Sequence, residues 1–571
     1  MYSSKFQRLP PENLDTVFRS VGQKLTDGLS AEAERILVEI IEKYDHAPDA
    51  AAEMKRLLSF TLQTLGRYRE AHATVEAFET EEVLAPLKLE TQIKMTTQLG
   101  ACYTYLTDYP KAVTLLKRTL KRAEENNLNQ LLGNIYIELA RVYRKFNEYS
   151  ICRDYTEKAL SAFREEGNWR GMAESYQTSG MSHYQEGNTE KSLEMFQLAV
   201  KIIGERSAPF LLGKIYSDMS GAYCLLHRPQ EGIECLEKSI AFFDRTEHKL
   251  NSIIAYNNLG MNLMLSGDWT RAEAMMKRAH DLAAETDHAH VAGILDSLGE
   301  LKMLRGELVE AEKLLVESVR IAAERKNDWY RIHAMRNLAR CLLAQGKAVE
   351  AIEKARETME ICRHINEKQT VHTAGLVLAE ACLLTGDSDE YESHLQAIEE
   401  SSPASDFFVL GSIQRIRGLA ALAGGDKDLA VHHFSRSLTI FEASADLYYT
   451  AMSHYYIGTN LDEDHAERAR GHLLSAAEIF AKLGVRFYSE AARTAAEKLK
   501  NQKIVAETTP EKHRSSPVVS QLLTVRLAEA TASRELLFRE LVAVLQQESK
   551  AKKIIIAEPD EQKILRPFIT H

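Results

Sequence analysis

The sequence predicts an all-α protein built as a solenoid of helical hairpins. A two-residue mark, Leu-Gly, Leu-Ala or a close variant, recurs along the chain. Its second member falls at Gly100, Ala140, Gly180, Ser220, Gly260, Gly299, Ala339, Ala379, Gly418 and Gly458, always 39 or 40 residues after the last. A single globular core imposes no such period; stacked copies of one unit do, because each must bury its apolar face on the next. Between marks the apolar residues recur at three and four, as in Ile253, Tyr256, Leu259, Leu263 and then Ala272, Met275, Met276, Ala279, which is helical amphipathicity. No run of alternating apolar and polar residues occurs before about residue 550.

Each unit reads in order from its mark. The mark lies on a first helix, where a small side chain allows close approach. Seven residues on there is often a glycine (Gly187, Gly267, Gly306, Gly346, Gly386, Gly425), expected to end that helix at positive φ. Twelve residues after the mark there is usually a small residue (Ala112, Cys152, Ser192, Gly232, Ala272, Ala311, Ala351, Ala430), placed on a second, antiparallel helix at its crossing with the first. Sixteen residues after it comes a large one (Leu116, Phe196, Leu236, Met276, Leu315, Phe434), expected to fill the gap below the crossing. Pro110 and Pro229 sit where second helices start, the position at which a missing N–H costs least. Two weaker units precede the regular ones, marked by Gly28 with Ala33 and by Gly66, Tyr68 and Ala71. Tyr391 places a ring where the small residue belongs, so those helices should cross at a wider distance.

The pattern resembles the tetratricopeptide repeat (TPR) family: Leu259-Gly260 with Gly267, Trp269, Ala272 and Ala279, and Leu99-Gly100 with Tyr103, Tyr109 and Ala112. The resemblance covers roughly residues 20–500. It implies a right-handed α-solenoid of about twelve TPR-like hairpins over residues 1–500. The family's usual unit is about 34 residues, so the extra residues here should lengthen helices or connections such as Glu166-Gly167-Asn168 and Thr286-Asp287-His288. Forty-residue versions are similar to scaffold proteins and bacterial signalling regulators.

After Lys500 the texture changes. Residues 501–518 carry Thr508, Thr509, Pro510, Ser515, Ser516 and Pro517 and read as a linker. A helix is expected over 519–549, then two strands around Ile554-Ile555-Ile556-Ala557 and Ile564-Leu565 to Phe568-Ile569. Residues 519–571 resemble the opening of a GAF domain, an incomplete α/β piece. Two strands cannot close such a sheet, which predicts either that the chain continues past His571 or that the hairpin pairs with a partner. A repeat array followed by GAF is similar to the sensory region of bacterial enhancer-binding transcription regulators.

Composition narrows the function class. The net charge is −11; residues 501–571 hold 11 Lys and Arg against 9 Asp and Glu, or +2, leaving −13 for the array. That disfavours direct nucleic-acid contact or binding to an anionic membrane. Seven scattered cysteines suggest reduced core thiols and a cytoplasmic setting. Met1 to Pro10 lack signal-peptide blocks, and no apolar run approaches a membrane span of about 20 residues.

The chain shows no phosphate-loop glycine pattern, no His-Glu-x-x-His, no Gly-x-Ser-x-Gly and no paired Cys-x-x-Cys, so no enzyme, cofactor or metal is expected. His288 and His290 flank one alanine without a third ligand in sequence, and His432 and His433 read as surface residues. The informative positions lie three before, one after and four after each mark, on the inner face of the first helices. They give the candidate protein- or peptide-binding groove: Arg141, Arg144, Gln177, Tyr184, Asn257, Arg336, Arg340 and Arg415. Arginine forks suit carboxylates, which points to an acidic ligand unless they pair with Asp296, Glu300 or Glu380. In the resembling family, asparagine on the inner helix can bond an extended backbone, and Asn257 matches best. The reading is a non-enzymatic sensory or interaction arm of a bacterial signalling or transcription regulator. The alternative is a structural scaffold that forms a homodimer through residues 519–571.

Overall fold

The 40-residue period resolves into two helices of 17 residues and two three-residue turns. Leu89–Tyr105 and Tyr109–Glu125 are separated by residues 106–108, and Asn129–Lys145 follows after 126–128. The additional length of the repeat therefore lies in the helices.

The computed structural model describes residues 14–41, 47–226, 228–246, 248–285, 290–365, 367–403, 406–462, 465–501, 555–559 and 565–570. The expected linker 501–518 beyond Asn501, the expected helix 519–549 and the connection through Asp287 and His288 lie outside them. Two irregular hairpins come first: α1 (Leu14–Asp27) with α2 (Ser30–Ile41), then α3 (Pro48–Thr64) with α4 (Tyr68–Val75), followed by the single turn α5 (Glu81–Leu84). The marked hairpins follow: α6 (Leu89–Tyr105) and α7 (Tyr109–Glu125), α8 (Asn129–Lys145) and α9 (Tyr149–Glu165), α10 (Trp169–Glu186) and α11 (Thr189–Ile203), α12 (Pro209–Leu225) and α13 (Pro229–Phe243), α14 (Lys249–Ser266) and α15 (Trp269–Ala284). They continue with α16 (Val291–Leu304) and α17 (Leu308–Glu324), α18 (Asp328–Ala344) and α19 (Ala348–His364), α20 (Gln369–Thr385) and α21 (Ser388–Ser401), α22 (Phe407–Ala423) and α23 (Lys427–Ala443), α24 (Leu447–Asn460) and α25 (Ala466–Leu483), then α26 (Arg486–Asn501). Every mark falls on the first helix of its pair. The described array is all-helical. Beyond it, β1 (Ile555–Pro559) pairs antiparallel with β2 (Leu565–Thr570).

The offsets have a direct packing cause. A Cβ on Gly100 would lie 2.6 Å from Leu116, on Gly180 2.6 Å from Phe196, on Gly299 2.6 Å from Leu315 and on Gly418 2.5 Å from Phe434. The large side chain sixteen residues on thus occupies the space that the mark leaves empty. A second small–large pairing was not read from the sequence: Gly213 lies against Phe243 and Gly411 against Phe441, each 30 residues later. Gly187 ends α10 at φ 91°, where the backbone N–H of Asn188 reaches His183 O at 2.9 Å. Where the period offers no glycine, Thr107 and Asn147 take the same left-handed conformation, at φ 66° and 63°. Ala33, Ala71, Ala112, Ala272, Ala311, Ala351 and Ala430 are fully buried. Tyr391 is half-buried beside Ala374 and Val377 on the shorter hairpin α20–α21.

The packing divides into two units: residues 1–262 with 281–286, and residues 263–280 with 287–571. In both, first helices of successive hairpins pack on one another, so they form the inner wall. In the first unit the α1–α2 turn returns onto later repeats. Thr26 Oγ1 accepts from Arg170 Nη1 at 2.9 Å, Ser207 Oγ donates to Asp27 Oδ1 at 3.1 Å, and Ser30 Oγ meets His248 Nε2 at 3.1 Å. Gly28 (φ 79°) lies so close that a Cβ would fall 2.5 Å from Thr246. In the second unit Trp269 stacks on Tyr448, centroids 6.1 Å apart, and a Cβ on Gly267 would meet Leu447 at 2.7 Å.

Six of the seven cysteines are buried and Cys224 is half-buried, all as free thiols. Burial pushes Cys102, Cys152 and Cys341 up to about 11, so they pack as small neutral groups. No described helix is long and apolar enough to cross a membrane.

Candidate functional site

In the first unit, α8, α10 and α14 carry the sequence-derived positions. Arg141 on α8 is not open to a ligand. Its Nη1 donates to Glu138 Oε1 at 2.5 Å and its Nη2 to Glu174 Oε2 at 2.7 Å. Burial works against the guanidinium charge, but the two carboxylates outweigh it and the pKa is raised. Glu174 also accepts from Arg170 Nε at 3.2 Å; the two arginines overcome its burial and hold it at about 2. Arg144, one turn on, makes no ion pair within 4 Å among the described residues, though its charge acts on Asp218. Its Nη1 donates to Gln185 at 3.0 Å, and its buried Nε has no partner among the described residues. Gln177 Nε2 donates to Asp218 Oδ2 at 2.7 Å. Burial pushes Asp218 up and lowers Lys214, one turn before it on α12. Tyr184 is half-buried, its hydroxyl against Gly221. Asn257 leaves a buried Oδ1 unpaired among the described residues.

The second unit repeats the theme with opposite charges facing from hairpin to hairpin. Arg340 Nη1 donates to Glu300 at 2.5 Å and its Nη2 to the Tyr449 hydroxyl at 3.1 Å. Arg415 grips Glu380 with both nitrogens, at 2.9 and 2.5 Å, and lies over the Tyr449 ring. Only 12% of the Arg415 side chain and 15% of that of Arg340 remains exposed. Arg336 Nη2 donates to Asn337 Oδ1 at 3.2 Å and leaves its Nε unpaired; Asn337 Nδ2 in turn donates to Asp296 at 2.8 Å. Burial raises Asp296 to about 6, against the pull of Arg336.

The pairing weighed from the sequence is what the structure shows at Arg340 and Arg415, on Glu300 and Glu380, and Arg141 is likewise spent on Glu138 of its own helix and Glu174 of the next hairpin, so these three arginines are not free to collect acidic ligands. The signal was present in the sequence. Asp296 stands three before Gly299, Glu300 one after it and Glu380 one after Ala379, so the same offsets place acids opposite arginines in alternate repeats. Glu138, Glu174 and Asp218 follow none of those offsets. His433 is corrected: it is half-buried, meets Gln414 at 2.9 Å and is pushed down to about 4 by burial. Among the described residues no group of three His, Cys, Asp or Glu is arranged to hold a metal; His288 lies outside them.

Residues 224–483 match the family model of the MalT-like TPR region. The repeats are TPR-like. Over 228 residues the chain is 24% identical to the Transcriptional activator NprA of Geobacillus stearothermophilus, a stretch that covers 38% of this chain and 54% of that protein. The TPR-like chain thus spans about half the length of this curated relative. Among solved structures, the apo quorum sensor NprR from B. thuringiensis aligns at 15% identity and TM-score 0.46, over 61% of this chain and 97% of that one. The apo form of RapI aligns at 12% identity and TM-score 0.49, with the same coverage.

Proposed function

We propose that this TPR-like chain is the non-enzymatic, peptide- or protein-binding arm of a bacterial signalling or transcription regulator. The observation that carries the reading is the inner wall of each unit. Its side chains are locked in geometry by cross-hairpin ion pairs, yet Asn257 Oδ1 and the Nε atoms of Arg144, Arg336 and Arg415 keep unfilled hydrogen-bonding capacity. A buried polar atom without a partner is costly, and an extended peptide backbone supplies both the donors and the acceptors that these atoms lack. Resemblance to a protein named as a transcriptional activator supports the regulatory setting.

With most arginines internally neutralised, the ligand is recognised through hydrogen bonds and shape more than through net charge. In this reading residues 1–500 form the binding array in the cytoplasm, 501–518 a linker, and 519–571 the start of a GAF-like output connection. The assembly reading, a homodimer through residues 519–571, makes no use of the unpaired inner-face atoms.

A random peptide library displayed against the full chain tests the proposal. Enriched peptides should bind Asn257→Ala and Arg336→Gln variants about tenfold more weakly in calorimetric titration, the loss expected for one hydrogen bond to a charged or buried group. Equal affinity for both variants and the parent removes the inner face as the binding surface.

A further inference from the structure

The first unit contains a cavity of about 350 Å³ on the inner side of α3, α6, α8 and α10. That is within the size range of small-molecule sites, about 300–1,000 Å³. A fifth helix, α1, lines it through Gly22 and Leu25, held in place by the bonds from Thr26, Asp27 and Ser30 to residues 170, 207 and 248. The first hairpin thus walls off one side of the groove and makes it a half-open pocket.

The floor of the chamber is apolar. Leu25, Ile93, Leu131 and Ile137 are buried within the protein, but Leu57 and Phe60 stay half-exposed towards the cavity. Unfilled apolar area of this kind favours an apolar occupant. Four cations line the walls, Arg56, Lys94, Arg141 and Arg170, against two carboxylates, Glu138 and Glu174. The carboxylates are engaged by Arg141 and Arg170. Among the described residues, Arg56 and Lys94 pair with acids of their own helices outside the lining, Glu53 at 2.8 Å and the exposed Glu90 at 3.0 Å. Glu53 holds Arg56 with two bonds, at 2.9 and 2.8 Å, which leaves Arg56 Nη1 for a further acceptor, while the more exposed Lys94 pair is weak. The positive excess therefore lies at the α3–α6 end, beside the apolar floor.

We propose that this chamber binds an amphipathic organic anion, with its apolar body on Leu57 and Phe60 and a single carboxylate-type head between Arg56 and Lys94. The site shares the inner side of α8 and α10 with the proposed peptide surface but uses none of its unpaired atoms, so the two are tested separately. The head group could belong to a free organic acid or to the C-terminus of a short peptide.

Anilinonaphthalene sulfonate, an apolar fluorophore with one anionic head, probes the site on the full chain. Saturable binding at one site per chain is expected. Octanoate or the free-acid dipeptide Leu-Phe should displace the probe, whereas octanol and the dipeptide amide should not; the better displacer of the two acids names the source. The double variant Arg56→Gln with Lys94→Gln, both at partly exposed positions, should weaken the probe by about tenfold or more with an unchanged helical circular dichroism spectrum. Absence of saturable binding, equal displacement by octanol, or undiminished affinity in the folded double variant overturns the proposal.

Discussion

Asp296 shows how one residue reports on the inner wall. It is half-buried on α16, accepts from Asn337 and has its pKa raised from 3.8 to about 6 by burial. A carboxyl whose folded pKa is raised contributes stability below its unfolded pKa and loses it as pH rises through the folded one. Asp296→Asn keeps an acceptor for Asn337 and removes the buried charge. It is expected to stabilise the protein by about 2 kcal/mol near pH 8 and to change nothing near pH 4. Thermal melts of both proteins at the two pH values check this, and a variant that melts lower at pH 8 contradicts it. At this scale the sequence located the inner-face positions and named Glu300 and Glu380, the partners of Arg340 and Arg415, but not Glu138 and Glu174, the partners of Arg141. Arg141 was legible from its offset, whereas Glu174 lies on the next hairpin at a position that no offset marks, so only the folded stack brings the two together.

At the scale of the hairpin, the pairing of an empty mark with a large side chain decides the geometry. A Cβ on Gly418 would stand 2.5 Å from the Phe434 ring. Gly418→Ala should therefore cost about 1–3 kcal/mol despite alanine's better helix propensity. Phe434→Leu in the same chain should make the combined loss smaller than the sum of the two singles, a coupling that a double-mutant cycle in urea measures. Additive losses would deny the contact. Ala272, fully buried at its crossing, gives the complementary case: Ala272→Leu should overpack and destabilise by about 1–3 kcal/mol, and an unshifted urea midpoint would place it elsewhere. The hairpins were legible because small and large residues recur at fixed offsets, which is a one-dimensional signal. The 30-residue pairing of Gly213 with Phe243 was overlooked because it joins the first helix of a repeat to the far end of its second and recurs in fewer units.

Across the whole molecule, ion pairs and buried imidazoles set the response to acid. Glu273 is held at about 2, below its ordinary 4.5, by Lys277, Arg305 and Lys302, which overcome its burial. Its contribution, reduced by solvent screening at this partly exposed site, is present above pH 4.5 and is lost as pH falls towards 2. Burial holds His454 at about 4 and His472 at about 3, so protonation of the unfolded chain begins to favour unfolding below 6.5. Calorimetric scans should show melting temperatures falling steadily from pH 6 to pH 2, and a flat profile would contradict the pairing. The array itself was legible over its whole length because every unit restates the same constraint. The return of the first hairpin onto residues 170–248 was not, since nothing in the period records contacts five repeats apart.

The central claim is that the inner wall of first helices holds a peptide. Hydrogen–deuterium exchange of the full chain, with and without a library-selected peptide, tests it most directly. Slowed exchange on α8, α10, α12 and α14, or on α16, α18, α20 and α22, with second helices unchanged is the expected result. Protection confined to second helices, or none at a saturating peptide concentration, would contradict the account.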